Sequence, residues 1–270
     1  MAIKLNATPE AYKEFYGRNV EQMPKLIAEG RVPMNTSQLM QRRLDFRNGP
    51  ADVKTAWMDN YFDTGDAVVY HPDGRVKIIL DSQILREMTP ESQRNSGALV
   101  LTEDAYKILQ GEEFKKGKLG KINDGMSKED VKAHPVWEVL ARDQALLNDY
   151  TDFIFAEYKD RFAKDTSTKD IRITGVYPGS CGGDAPEMRA WCVGGLEYGS
   201  NADGGDFLGK GSGRLVGIAP EALGVPGKGA SNIRAYSMTD ILTAKNQLDE
   251  LAKLVKPENL KDVKSLLGKL

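Results

Sequence analysis

Few residues in this chain are of types that do chemistry, and they are scattered. There are two cysteines and two histidines among 270 residues. Cys181 stands in the stretch Gly179-Ser180-Cys181-Gly182-Gly183-Asp184. Glycines on both sides let the backbone approach a substrate and leave N–H groups free to bind an oxyanion, which is a setting for a nucleophile. His71 lies far upstream, immediately before Pro72-Asp73-Gly74. His134, before Pro135 at a helix start, is a candidate base, with a helix-boundary residue as its plainer reading. The plainer reading of Cys181 is a small loop residue, and of His71 a solvated residue beside a turn.

Gly179–Gly183 resembles the Gly-x-Cys-Gly-Gly motif near the nucleophile of the viral cysteine branch of the chymotrypsin-like proteases. The resemblance implies Cys181 as nucleophile, His71 as base with Asp73 or Asp81 to orient its imidazole, and a double β-barrel with little helix. It covers five residues, and the helical patterns between His71 and Cys181 depart from it, so no family is assigned.

Other chemistries are also weighed. Zinc needs clustered Cys, His or carboxylate ligands. Two cysteines eleven residues apart and two isolated histidines do not supply that spacing. Asn201, Asp203 and Asp206 carry oxygens suited to calcium but lack the closing glutamate of an EF-hand loop, and a polar turn is preferred. Neither a metal nor a cofactor is expected. Lys210, Gly211 and Arg214, in Gly209-Lys210-Gly211-Ser212-Gly213-Arg214, suit an anion held by backbone N–H groups and two cations. Walker A is excluded by the missing Gly-Lys-Ser/Thr ending. Trp191, between glycine-rich stretches, is the candidate lid over a ligand. The basic runs Gln41-Arg42-Arg43 and Lys115-Lys116-Gly117-Lys118 lack interleaved aromatics, so a nucleic-acid platform is not expected.

Composition bounds the class. Apolar residues make up 40% and charged residues 28%, as in ordinary globular proteins. The net charge is −2, which gives no general basic footprint. Low cysteine usage suits a reducing cytoplasm, the N-terminal stretch has no apolar signal region, and no run is long enough to span a membrane. A cytoplasmic protein is expected.

The elements that must position these residues are read from periodicity and punctuation. Helices fill 8–62: one opening at Thr8-Pro9 and carrying Tyr12, Phe15 and Tyr16, one over 20–28, one after Asn35-Thr36-Ser37, and one after Pro50. Val68-Val69-Tyr70 and Val76-Lys77-Ile78-Ile79, around Pro72-Asp73-Gly74, form a hairpin within a strand region over 66–101. Thr102 and Ser127 cap short helices. A single helix of 28 residues is predicted over 135–162, with Glu138 pairing to Arg142. Strands are expected at 171–174 and 214–218. Residues 175–235 otherwise read as a long irregular glycine-rich segment: 16 of the 27 glycines fall between 175 and 229. Helices close the chain over 239–270.

The sequence thus predicts one integrated α+β domain over 1–270, mainly helical, with a small mixed or antiparallel sheet and a long glycine-rich segment. The function expected is that of a non-catalytic binding or assembly protein. Its glycine-rich segment would meet an anionic small molecule or a protein partner. The alternative is a cysteine-dependent hydrolase or acyl transferase using Cys181.

Overall fold

The structure is a computed structural model. It describes residues 3, 5, 11–115, 117–119 and 125–223, all within the unit Met1–Gly227. The expected closing helices over 239–270 lie outside the described residues.

In chain order the strands are β1 (Tyr12–Tyr16), β2 (Val32–Pro33), β3 (Phe62–Tyr70), β4 (Val76–Ile79), β5 (Arg94–Asn95), β6 (Ala98–Val100), β7 (Glu112–Phe114), β8 (Val176–Tyr177), β9 (Glu187–Val193), β10 (Ala202–Asp203) and β11 (Arg214–Ile218). The helices are α1 (Asn19–Ala28), α2 (Thr36–Asp45), α3 (Ala51–Met58), α4 (Gln83–Arg86), α5 (Glu103–Ile108), α6 (Lys128–Lys132), α7 (Pro135–Ala141) and α8 (Gln144–Phe162). The organising element is therefore one sheet of eleven strands. The expected mainly helical fold with a small sheet is overturned.

The central path runs β1-β11-β3-β9-β10-β8. The sheet is mixed: β11 lies parallel to β3 and β10 parallel to β8, while β9 runs antiparallel to both β3 and β10. Both faces are covered, so β3 and β9 are buried along their whole length. On one face Phe62, Val68, Trp191 and Val193 join Trp57, Trp137, Tyr150 and Phe155 in the main core. On the other face Met188 meets Ser82, the N-cap of α4, and α1 buries Met23 and Leu26.

Three local expectations change. Tyr12–Tyr16 is a strand paired along β11, not a helix. Its aromatic residues are as suited to a sheet edge as to a helix, and the pairing decides. The segment 171–174 holds only a bridge between Met126 and Ile173. The predicted helix over 135–162 is two helices. Arg142 sits at φ +64, a left-handed conformation that stops α7, and the Asp143 side chain accepts from Leu146 N to start α8. The break turns Arg142 away from Glu138. Its guanidinium reaches the fully buried Asp66 at 2.6 Å and Asp81 at 2.6 Å. Asp66 also accepts from Thr36 N and Asp81 N, which ties the start of α2 and the end of the hairpin to an irregularity in β3.

A second buried cation ties the helices to the sheet. Arg43 on α2 is 1% exposed. Its Nε donates to Trp57 O, one terminal nitrogen to Tyr150 Oη and Ser200 Oγ, and the other to Asn60 O and Gly194 O. All five N–H donors of the guanidinium are used, and these acceptors are neutral. Beside it, Arg42 lies over the rings of Tyr12 and Phe46 at 4.0 and 4.1 Å.

These contacts set the outcome of three substitutions. Arg43→Met, which leaves the carbonyls of Trp57, Asn60 and Gly194 without the guanidinium while Tyr150 and Ser200 keep their mutual bond, lowers unfolding free energy by on the order of 3–5 kcal/mol. Arg43→Lys, with three donors and no planar fork, recovers less than half of that loss in urea titrations. Arg142→Gln destabilises at pH 7 because it leaves Asp66 buried without its cation. Burial alone would raise the Asp81 carboxyl, but Arg142, Asn35 and Arg86 outweigh it and hold it below the ordinary range. A depressed folded value gives stability that is present above about pH 4 and lost as pH falls through the folded value. The gap between wild type and Arg142→Gln therefore narrows below about pH 4.

Candidate functional site

The register of the sheet assembles the site. Asp63 on β3 is the direct partner of Cys192 on β9, and Cys192 is the direct partner of Asp203 on β10. Paired residues on adjacent strands point to the same face. The three side chains therefore form a row across the sheet, opposite the face that carries Phe62 and Val193. Asp206, in the loop after β10, joins that row. One ligand-type atom each from Asp63, Cys192 and Asp206 lies within 4.8 Å of the other two.

A cleft of about 440 Å³ opens over this row. Tyr61, Tyr177 and Tyr198 frame it, with Asn201, Asp203 and Asp206 among its polar groups. Each tyrosine arrives from a different element. Tyr61 immediately precedes β3, and its hydroxyl donates to Ser212 O. Tyr177 ends β8. Tyr198 lies in a single 3-10 turn, Leu196–Tyr198, and is 72% exposed. That turn closes through Gly199 at φ +77 and Ser200 at φ +54. Asn201 then locks it, donating to Tyr198 O and accepting from Gly175 N. Gly204 must be glycine: a Cβ there would stand 2.5 Å from the Tyr70 hydroxyl and 3.0 Å from the Trp191 ring. The Asp203 carboxylate accepts from Gly205 N at 2.7 Å and so shapes the loop that delivers Asp206.

The electrostatics are those of crowded acids. Burial pushes the Asp63 carboxyl up to about 6, against the opposing pull of the Arg214 N–H and of the neighbouring Asn19 and Cys192 side chains. Burial raises Asp203 too, and repulsion from Asp206 adds to it. Burial raises the Cys192 thiol, with Asp63, Asp206 and Asp203 all disfavouring its thiolate.

The residues singled out in the sequence fall apart as a set. Cys181 is half-buried in the loop before β9, and its Sγ donates to Gly183 O and Ala185 O. Burial raises its pKa and the carboxylates of Glu187 and Asp184 add to that, outweighing the opposing pull of the Gly183 backbone and of Arg189. The glycine loop is instead held by the buried Glu187, which accepts from Gly182 N and from the Asn95 amide. His71 is not its partner: it sits in the β3–β4 turn, 2.9 Å from Glu103 and 2.8 Å from Asp73. Asp81 belongs to Arg142. His134 caps α7, its Nδ1 accepting from Val136 N.

The anion set does not converge either. Lys210 is 3.7 Å from Asp206. Gly211 has open space around it. Arg214 is spent on structure, with Nε 2.8 Å from Glu14, the guanidinium between the rings of Tyr16 and Tyr61, and a bond to Asn60. Trp191 is fully buried in β9 and is core, not a lid.

Sequence reading does not single out Asp63, sets Cys192 aside as a metal ligand because its spacing to Cys181 fits no zinc pattern, and favours a turn for Asp203 and Asp206. The signal that would have found them is β9, Glu187–Val193, which was hidden in the segment taken as irregular.

No protein-family profile and no curated protein matches the sequence. Among solved structures, one described as "Accommodation of massive sequence variation in Nanoarchaeota by the C-type lectin fold" is similar to this chain, with a TM-score of 0.57 and 16% identity over 80% of this chain and 100% of that one. At that identity the likeness establishes the fold, and the fold is that of C-type lectins. Among the described residues no helix is long and apolar enough to cross a membrane.

The thiols give a direct check. Cys181 is expected to alkylate more slowly at neutral pH than an unhindered thiol, with an apparent pKa above the ordinary value of about 8.5, and Cys192 to react only on unfolding. Fast alkylation of Cys181 persisting below pH 7 would reinstate an activated nucleophile.

Proposed function

We propose that this is a non-catalytic binding protein that takes a polar ligand rich in hydrogen-bond donors, neutral or cationic, in the tyrosine-framed cleft. The observation that carries this reading is the pairing of three tyrosines with carboxylates over one cleft of about 440 Å³. A volume of that order suits a small molecule or one large side chain of a partner. Tyrosines supply broad, stiff contact surface at low entropic loss, which is why binding surfaces favour them. Asp203 and Asp206 line the cleft and are acceptors, so the ligand must donate. Asp206 offsets the charge of Lys210, which turns the reading away from the anionic ligand that the sequence suggested. Two unbridged cysteines, Cys181 and Cys192, suit a reducing cytoplasm.

The fold supports a binding role. The C-type lectin fold of the similar structure accommodates massive sequence variation in that protein, as its description says. In this chain the tyrosines stand on short turns and strand ends around a buried sheet. The alternative of a cysteine hydrolase draws on no contact of this structure.

The test uses protein held in chelator and a panel of neutral saccharides, arginine- and lysine-containing peptides, and phosphate esters, followed by thermal shift and calorimetry. Saccharides or cationic peptides are expected to bind. Tyr198→Ala, an exposed change that spares the fold, weakens that binding by about tenfold or more, on the scale of a central aromatic contact. Cys181→Ser leaves it unchanged. Binding of phosphate esters alone, or indifference to Tyr198→Ala, would overturn the reading.

A further inference from the structure

Among the described residues, Asp63, Cys192 and Asp206 form the one cluster whose donor atoms could close on a single metal ion. The clustering alone would say little, since acids gather at many surfaces. These are not surface acids. Asp63 is 2% exposed and Cys192 6% exposed. Asp63 Oδ2 accepts from Arg214 N at 2.7 Å, whereas Oδ1 is buried and receives no well-formed hydrogen bond, with only the Asn19 and Cys192 side chains beside the carboxyl. A buried carboxylate oxygen without a donor is a standing penalty unless something cationic satisfies it. The register turns that carboxyl toward the face of Cys192, with Asp206 closing from the loop.

We infer that Asp63, Cys192 and Asp206 bind a divalent transition-metal ion of the zinc class, with Asp203 as a positioning residue. Donor chemistry selects the metal. Calcium and magnesium take oxygen ligands and six or more of them, whereas a thiolate with two carboxylates suits zinc or cobalt(II). Metal–sulfur distances of about 2.3 Å and metal–oxygen distances of about 2.0–2.2 Å bring tetrahedral donors to about 3.3–3.7 Å from one another. The present spacing, within 4.8 Å, requires the side chains to close by up to about 1 Å onto the ion. On binding, Cys192 loses its proton to water as the metal–sulfur bond forms, and Asp63 loses any proton it holds. Three negative donors then face a charge of +2. Asp203 bonds to Gly205 N and keeps the Asp206 loop in place. Three protein ligands leave a fourth tetrahedral position, and it opens to the tyrosine-framed cleft. The inference goes beyond the ligand reading and does not depend on it.

The experiment titrates metal-free protein with Co²⁺ and records the sulfur-to-cobalt charge-transfer absorption, with Zn²⁺ as competitor. The expected result is one Co²⁺ per chain, a charge-transfer band, and its loss on adding Zn²⁺. Cys192→Ser abolishes the band and Cys181→Ser preserves it. Because Cys192 is buried and its replacement can unfold the chain, Asp206→Asn in the loop is the second variant. It weakens Co²⁺ binding by more than the about 10–100-fold lost when a residue that merely orients a ligand is removed. No band, a band that depends on Cys181, or an affinity indifferent to Asp206→Asn would overturn the inference. Saccharide or peptide binding that persists in chelator would leave the ligand reading standing if the metal fails, and the metal result stands alone if the panel fails.

Discussion

The guanidinium of Arg43 lies where water does not reach and where the groups that receive its protons carry no charge. Moving a cation into such a place is costly, and the structure offsets that cost by using every N–H it has. The acceptors belong to parts of the chain far apart in sequence: the end of α3, the middle of α8, the end of β9 and the turn after it. Arg43 therefore does more than fill a core position. It fixes where the helical layer sits on the sheet. Gly194 and Ser200, two of its acceptors, bracket the turn that presents Tyr198. The wall of the cleft is held in place from behind.

The second constraint is the register of β3, β9 and β10. A slip of one residue would send Asp63, Cys192 and Asp203 to the opposite face and bring Phe62, Val193 and Ala202 out of the core. The row of acids and thiol is therefore specified by the same pairing that buries the hydrophobic face. The irregularity in β3 between Asp63 and Ala67 serves both ends. It lets Asp66 turn out of the ladder to meet Arg142, while Asp63 keeps its pairing. Stability and site share one strand.

Much of the local structure was legible. Asn35, Thr102 and Ser127 each cap the helix their sequence announces, and Asn35 completes a capping box with Gln38. The hairpin around Pro72-Asp73-Gly74 and strand β11 form where β-branched residues and turn signals place them. The sheet as a whole was not legible. β9 reads Glu-Met-Arg-Ala-Trp-Cys-Val, and its buried Glu187 and Arg189 mask the apolar signal. Arg189 reaches the carbonyls of Ser96, Gly205 and Asp206 and Glu187 holds the 182–183 loop, so these polar residues are inside because they have partners. The Gln41-Arg42-Arg43 run shows in sequence only as a basic run without interleaved aromatics, for a similar reason. Only tertiary structure shows one arginine stacked on aromatics and the other buried among carbonyls. The break at Arg142 was hidden because an apolar stripe continues through it. The site itself was beyond local reading, since Asp63 and Cys192 meet only through strand pairing across most of the chain.

Amide hydrogen exchange in Arg43→Met, compared with wild type, tests most directly whether this buried arginine holds the cleft. The account predicts that residues 194–204, which carry the Tyr198 turn and β10, exchange much faster, while the β3–β9 and β1–β11 ladders lose protection only to the extent that global stability falls. Uniform loss across the sheet, with no excess at 194–204, would contradict it: Arg43 would then be a core contact like any other, and the cleft wall would owe its position to something else.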